Sequence, residues 1–185
     1  LKKYFPQQLI NVSAEDFYFA MNKVSPSLIR TSADELTYHF HIMIRFEIEK
    51  ALFENEIKVK DLPAIWNEKY KNYLGVDVPN DAQGVLQDIH WSHGSFGYFP
   101  TYSIGSFYAA QFFAKAYNEI PLLNQKIENG ELTELLSWLR TKIHQHGRYF
   151  SSSEICKEIC GEPLSIKYFM EYVKEKYRSI YHLNS

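Results

Sequence analysis

Apolar residues recur along this chain at helical rather than alternating spacing, and no stretch holds a convincing strand period. The pattern therefore predicts an all-α fold. Ser13, followed three positions later by Asp16, reads as a capping box that opens a short helix through Phe17, Tyr18, Ala20 and Met21; Ser25 and Pro26 end it. The FPQQ run before it reads as extended chain. Ser32 with Glu35 forms a second candidate box, and the absence of glycine and proline from there to Phe53 argues for one long helix. Leu36, Phe40, Met43, Ile44, Ile48 and Ala51 make its expected buried stripe. Asp34, Tyr38, His41 and Arg45 share another face, as a polar ridge that is either the wet side of the helix or the lining of a cleft. Glu47 falls on the apolar stripe and calls for a cationic partner there, most simply an arginine.

Pro63 suits the first turn of a third helix and Gly75 its C-terminal cap, with Leu62, Ile65, Trp66, Tyr70, Tyr73 and Leu74 alternating with charges between them. Residues 76–83 read as a loop. After Pro100 comes a helix that is apolar nearly all round (Ile104, Phe107, Tyr108, Ala109, Ala110, Phe112, Phe113, Ala114), which places it in the middle of a packed structure. Gly105 with Ala109, and Ser106 with Ala110, set small residues four apart, so that another backbone can approach. Three further helices are expected at 132–144, 153–160 and 166–181, the last packing through Tyr168, Phe169, Tyr172, Val173 and Ile180.

Between the loop and the apolar helix the pattern changes. Residues 84–102 carry Gln87, Asp88, His90, Trp91, His93, Tyr98 and Tyr102 among glycines. A segment that only filled a core would not need so many donors and acceptors, since a buried polar group without a partner costs roughly 1 to 3 kcal/mol. The plainer reading is a turn at Gly94 and Gly97 with Trp91, Phe96 and Phe99 as packing anchors.

Composition narrows the function classes. A chain of 185 residues with 45% apolar and 23% charged residues is globular, and residues 1–185 are expected to form a single helical domain. The net charge of −2, with scattered lysines and arginines, disfavours nucleic acid as a partner. No apolar run approaches the roughly 18 residues that span a bilayer, so no membrane partner is expected. Leu1 in place of a methionine suggests a chain that begins partway through a longer protein. Cys156 and Cys160, four apart in a helical segment, read as reduced structural thiols of a cytoplasmic protein. None of the seven histidines opens an HExxH helix, and neither a nucleophile elbow, a phosphate-binding loop nor a dinucleotide turn is present. His144 and His146, two apart near a helix end, read as solvent-exposed rather than metal-bound.

The segment IRTSADELTYHFHIMIRFEIE at residues 29–49, with GVLQDIHW at 84–91 and GYFPTYSIGSFYAAQ after it, resembles the C-terminal part of the carboxypeptidase Taq family of zinc metallocarboxypeptidases. Its signatures IRxxAD (Ile29, Arg30, Ala33, Asp34) and GxxQDxHW (Gly84, Gln87, Asp88, His90, Trp91) are both intact and in order. The resemblance extends to the closing GEPLSIKYFMEYV. It implies a multi-helix bundle forming the C-terminal part of a zincin-like helical metallopeptidase, which releases C-terminal amino acids from peptides with broad specificity. The family's HExxH helix, downstream glutamate ligand, HPF and DxRxT signatures lie outside this chain. Zinc or another divalent metal thus belongs to the intact enzyme, no metal ligand is expected here, and the chain alone is expected to be inactive.

On that reading the partners are a peptide substrate and the N-terminal part of the same enzyme, with room for a homodimer. Arg30 would bind the free carboxylate, with Gln87 and Asp88 as further substrate-binding residues, Asp88 orienting His90 or Arg30 and Gln87 holding a loop. His90, Tyr98 and Tyr102 would donate to the oxyanion or the substrate backbone. The competing reading is a non-catalytic helical protein-interaction domain, in which these residues are dispersed and locally satisfied.

Overall fold

In the computed structural model, which describes residues 1–183, all regular structure is helical. Nine α-helices follow one another among the described residues: α1 (Pro6–Leu9), α2 (Ala14–Met21), α3 (Tyr38–Phe53), α4 (Leu62–Leu74), α5 (Pro100–Glu119), α6 (Leu123–Glu128), α7 (Thr133–Lys142), α8 (Ser152–Cys160) and α9 (Lys167–Tyr181). Short 3-10 turns at Arg30–Ser32, Val59–Asp61, Trp91–His93 and His144–His146 join some of them. The chain divides into two compact units, 1–102 and 103–185.

In the first unit α3 and α4 enclose a core of Ile44, Ile48, Trp66, Tyr70 and Leu74, against which Leu28, Val78, Val85 and Trp91 pack. Pro63 in the first turn of α4 and Gly75 as its left-handed cap end that helix where the sequence signals do. The capping box of Ser13 and Asp16 is present at α2. Two expectations are corrected. The FPQQ run is not extended: Pro6 opens α1, where its missing N–H costs nothing. The second box does not form, and α3 begins at Tyr38 instead. Asp34 takes over the capping, accepting hydrogen bonds from the amides of Leu36 (3.0 Å) and Thr37 (2.8 Å) and from the Thr37 hydroxyl (2.7 Å). A carboxylate two to three residues ahead of these amides makes strong, charge-assisted bonds to them, and Ser32 is left in the preceding 3-10 turn.

The buried face of α3 is also rotated from the expected stripe. Its buried residues are His41, Ile42, Ile44, Arg45, Ile48 and Glu49, while Met43 is exposed. Glu47 is half-exposed and pairs with Lys69 (2.6 Å) and the Tyr73 hydroxyl (2.8 Å) of α4, a lysine rather than an arginine.

In the second unit Ala116, Ile120, Leu123, Trp138 and Ile159 form the core. The Trp138 indole donates to Glu119 (2.7 Å). Gln111, fully buried, donates to the Pro163 carbonyl (3.1 Å) and accepts from the Ser165 amide (2.8 Å), tying the α8–α9 connection to α5. The helix expected at 153–160 is α8, and it opens on a capping box of Ser151 and Glu154 that is not among the expectations from sequence. Tyr177 joins Phe169, Val173 and Ile180 on the buried face of α9, whereas Tyr172 is exposed. Cys156 and Cys160 are free thiols, both with pKa raised by burial, Cys160 to about 12. The all-round apolar helix α5 is not enclosed on every side. Ile104 and Phe113 are over 40% exposed, and a cavity of about 360 Å³ runs beside Gly105, Ala109, Phe113, Leu135 and Trp138.

Candidate functional site

The polar ridge of α3 faces inward. His41 and Arg45 are completely buried, and they meet the polar stretch that follows the α4 loop. Gly84 makes that meeting feasible. A Cβ on it would stand 2.8 Å from Val78 Cγ1 and 3.1 Å from the Asn80 carbonyl oxygen, so only glycine lets the loop fold this tightly before Gln87 and Asp88.

The two short signatures, separated by residues 35–83, interlock here. Gln87 accepts from the Arg30 amide (3.0 Å) and donates to the Leu28 carbonyl (3.0 Å). Asp88 binds Arg30 along one edge of the guanidinium, through Nη2 (2.7 Å) and Nε (3.2 Å). Its other oxygen receives Arg45 Nε at 2.7 Å, and Arg45 Nη2 lies 2.6 Å from the same oxygen, off-axis, as an ion contact rather than a hydrogen bond. Burial works against the Asp88 charge, but the two arginines outweigh it and hold the carboxyl below its usual pKa.

Arg45 further donates from Nη1 to the His41 carbonyl (2.7 Å) and the Tyr70 hydroxyl (3.2 Å), and its guanidinium stacks over Trp66. Tyr70 receives Gln87 as well (3.3 Å), so its own proton goes to His41 Nδ1 at 3.0 Å. His41 is thereby the Nε2–H tautomer, with Nε2 buried and unpartnered. Burial, then the positive charges of Arg45 and Arg30, push its pKa down to about 4.

A second layer lies beside the arginines. His90 Nε2 shares a hydrogen bond with the Tyr102 hydroxyl (3.1 Å), while its Nδ1 is buried, 4.0 Å from Asp88. Burial keeps His90 below its ordinary pKa despite that carboxylate. Arg30 lies over the Tyr102 ring at 5.0 Å and donates from Nη1 to the Tyr38 hydroxyl at 3.2 Å. Tyr98 stacks on His90 and is half exposed. Glu49 accepts from the Trp91 indole (2.6 Å) and the Gly97 amide (3.1 Å), which holds the turn between the histidine and the tyrosines; Gly97 has φ +75° there.

The six residues singled out from sequence, Arg30, Gln87, Asp88, His90, Tyr98 and Tyr102, are therefore contiguous. The edge of Arg30 that grips most readily is already taken by Asp88, which leaves Nη1 and the outer side of Nη2. Sequence periodicity alone assigns Tyr70 to packing, passes over Glu49, and gives Arg45 and Tyr38 no role beyond the ridge. Only the repeat of arginine and tyrosine along one helical face hints at them. The 360 Å³ cavity along α5 belongs to the second unit and has an apolar lining, so it is not where this chemistry lies. Among the described residues no three His, Cys, Asp or Glu side chains gather so as to hold a metal ion, and His90 with His93 remains a pair.

The sequence profile of the carboxypeptidase Taq (M32) metallopeptidases matches residues 1–177. Carboxypeptidase 1 of Bacillus subtilis (strain 168) is 46% identical over 176 residues, covering 95% of this chain and 35% of that protein. Thermostable carboxypeptidase 1 of Thermus thermophilus is 45% identical over 186 residues, covering 97% and 36%. Among solved structures, the M32 carboxypeptidase of Deinococcus radiodurans R1 superposes with a TM-score of 0.96 at 38% identity, over 98% of this chain and 37% of that one. The chain spans about a third of the length of the curated relatives it matches.

Proposed function

Because the chain belongs to the carboxypeptidase Taq (M32) family of metallopeptidases, we propose that it is the C-terminal part of a metallocarboxypeptidase that removes C-terminal residues from peptides. In that enzyme it supplies substrate-binding and oxyanion-stabilising residues, and the rest of the enzyme supplies the metal, most simply zinc. The metal's contribution is an activated water. Everything else concerns side chains of this chain.

The observation that carries the reading is the interlocking of the two signatures: Arg30 is aimed by Asp88, backed by Gln87, and lies against Tyr102, which shares a hydrogen bond with His90. A free C-terminus is a carboxylate, and an arginine oriented by packing distinguishes it from an internal peptide bond. Nη1 and Nη2 of Arg30 provide the open edge for it. His90 and Tyr102 provide donors for the charge that develops on the carbonyl oxygen. Such donors strengthen as the oxyanion forms and so act on kcat more than on KM. Tyr98, half exposed beside them, is placed to reach the substrate backbone. The open apolar side of α5 supports a second proposal, that the N-terminal part of the same enzyme packs there.

The test is made in the full-length protein, with a peptide bearing a free C-terminal carboxylate and its amidated twin. Arg30→Ala raises KM for the free acid and leaves the poor amide nearly unchanged. Equal loss against both substrates in a folded variant removes Arg30 from carboxylate recognition.

A further inference from the structure

Asp88 is shared by two arginines, and the second has no evident need to be there for packing. Arg45 is completely buried, whereas a hydrophobic side chain of similar volume would fill the space beneath Trp66 and Phe99 without desolvating a charge. What Arg45 changes is the charge count. Arg30 and Asp88 alone form a closed, neutral pair, in which the carboxylate that orients the guanidinium also cancels it.

With Arg45 on the second oxygen the group of three carries one net positive charge. Among the described residues no carboxylate other than Asp88 pairs with either arginine, although Asp34 and Glu49 keep their own negative charges. His41 is neutral beside Tyr70. His90 is neutral beside Tyr102. The Asp34 carboxylate is engaged by Ser25 and Thr37, and that of Glu49 by Trp91 and Gly97. On the open edge of Arg30, Nη1 donates to the uncharged Tyr38 hydroxyl.

Arg45 also sets position. It holds Tyr70, Tyr70 receives Gln87, and Gln87 receives the Arg30 amide, so the circuit from Arg45 returns to Arg30 by two routes, one through Asp88 and one through Tyr70 and Gln87.

We propose that Arg45 is a positioning residue for carboxylate recognition: it binds Asp88 so that Asp88 can orient Arg30 without cancelling its charge, leaving the Arg30 Nη1 edge and the Tyr38 hydroxyl to receive an anionic C-terminus. This rests on the assignment of Arg30 to the substrate carboxylate, and the experiment separates the two. In the full-length enzyme, steady-state kinetics on the free-acid peptide and its amide are compared for wild type, Arg45→Met, Arg45→Lys and Arg30→Ala, with circular dichroism as a folding control.

Arg45→Met raises KM for the free acid more than about tenfold, keeps kcat within about threefold and leaves the amide unchanged, the KM effect corresponding to the loss of a charge-assisted contact. Arg45→Lys, which keeps the charge but cannot match both contacts to Asp88, gives a smaller rise of about three- to tenfold in the same parameter. If Arg45→Met does not fold, Arg45→Lys alone decides. An unaltered KM for the free acid in the folded Lys variant, or equal impairment of both substrates, overturns the proposal. Selective loss in Arg30→Ala with neither Arg45 variant affected overturns the role of Arg45 alone. Equal loss against both substrates in Arg30→Ala overturns both assignments.

Discussion

At the scale of single residues, chemistry here is set by which atoms are left over once each buried group has found a partner. Tyr38 shows this. Its hydroxyl accepts from Arg30 at the one edge Asp88 leaves open, and it can turn from acceptor to donor when a carboxylate arrives. Tyr38→Phe in the full-length enzyme is expected to raise KM for free-acid peptides severalfold with kcat kept. On the proposed function, His90 and Tyr102 bear on the other quantity. His90→Ala or Tyr102→Phe is expected to lower kcat by about 100 to 1,000-fold with KM nearly unchanged, as loss of an oxyanion donor does. His41 makes a prediction about pH. It is buried neutral with a pKa of about 4, whereas the unfolded chain has an ordinary histidine near 6.5. Between those values the unfolded state binds the extra proton, so stability contributed by the neutral group is present above pH 6.5 and is lost as pH falls toward 4. Urea midpoints measured from pH 7 to 4.5 should drop, and His41→Gln should flatten the drop.

At the scale of elements, the start of α3 is decided by which side chain caps the turn that leads into it. Asp34 engages the Leu36 and Thr37 amides, the Thr37 hydroxyl and the Ser25 amide (2.9 Å); Ser32 sits outside on an exposed turn. Asp34→Ala should therefore cost about 1 to 3 kcal/mol in denaturant unfolding. Ser32→Ala should stay within about 0.5 kcal/mol, as exposed substitutions away from such features do. The reverse ranking would restore Ser32 as the cap. Because Arg30 and Tyr38 flank this turn, its integrity also fixes the distance between the Arg30 guanidinium and the Tyr38 hydroxyl.

At the scale of the whole molecule, the chain keeps a large apolar helix partly uncovered and gathers Arg30, Arg45, His90 and Tyr102 around Asp88. No helix among the described residues is long and apolar enough to cross a membrane, so the open face of α5 is not explained by a bilayer span. The 185-residue chain alone should bind a hydrophobic dye at that face and lose the signal when the N-terminal part of the enzyme is supplied. It should bind no stoichiometric zinc and hydrolyse no peptide. Tight one-to-one zinc by elemental analysis, together with chelator-sensitive release of C-terminal residues, would refute this.

The sequence by itself determined the helical class and the ends of α2 and α4, because helix caps and glycine ends are local features written in adjacent residues, and its short signatures singled out six residues that the fold places side by side. It did not determine the face that α3 buries. Met43 and His41 differ in hydropathy in the direction opposite to their burial, since Arg45 and His41 are carried inward by partners supplied from α4 and from residue 88. It did not determine which cation meets Glu47, or that Glu49 is the carboxylate that braces the glycine turn. Those outcomes depend on hydrogen bonds between residues 22 to 48 positions apart, which no local period encodes. The tertiary structure alone decided that one carboxylate, Asp88, would be divided between two arginines, because charge sharing is a property of where side chains meet and not of the order in which they occur.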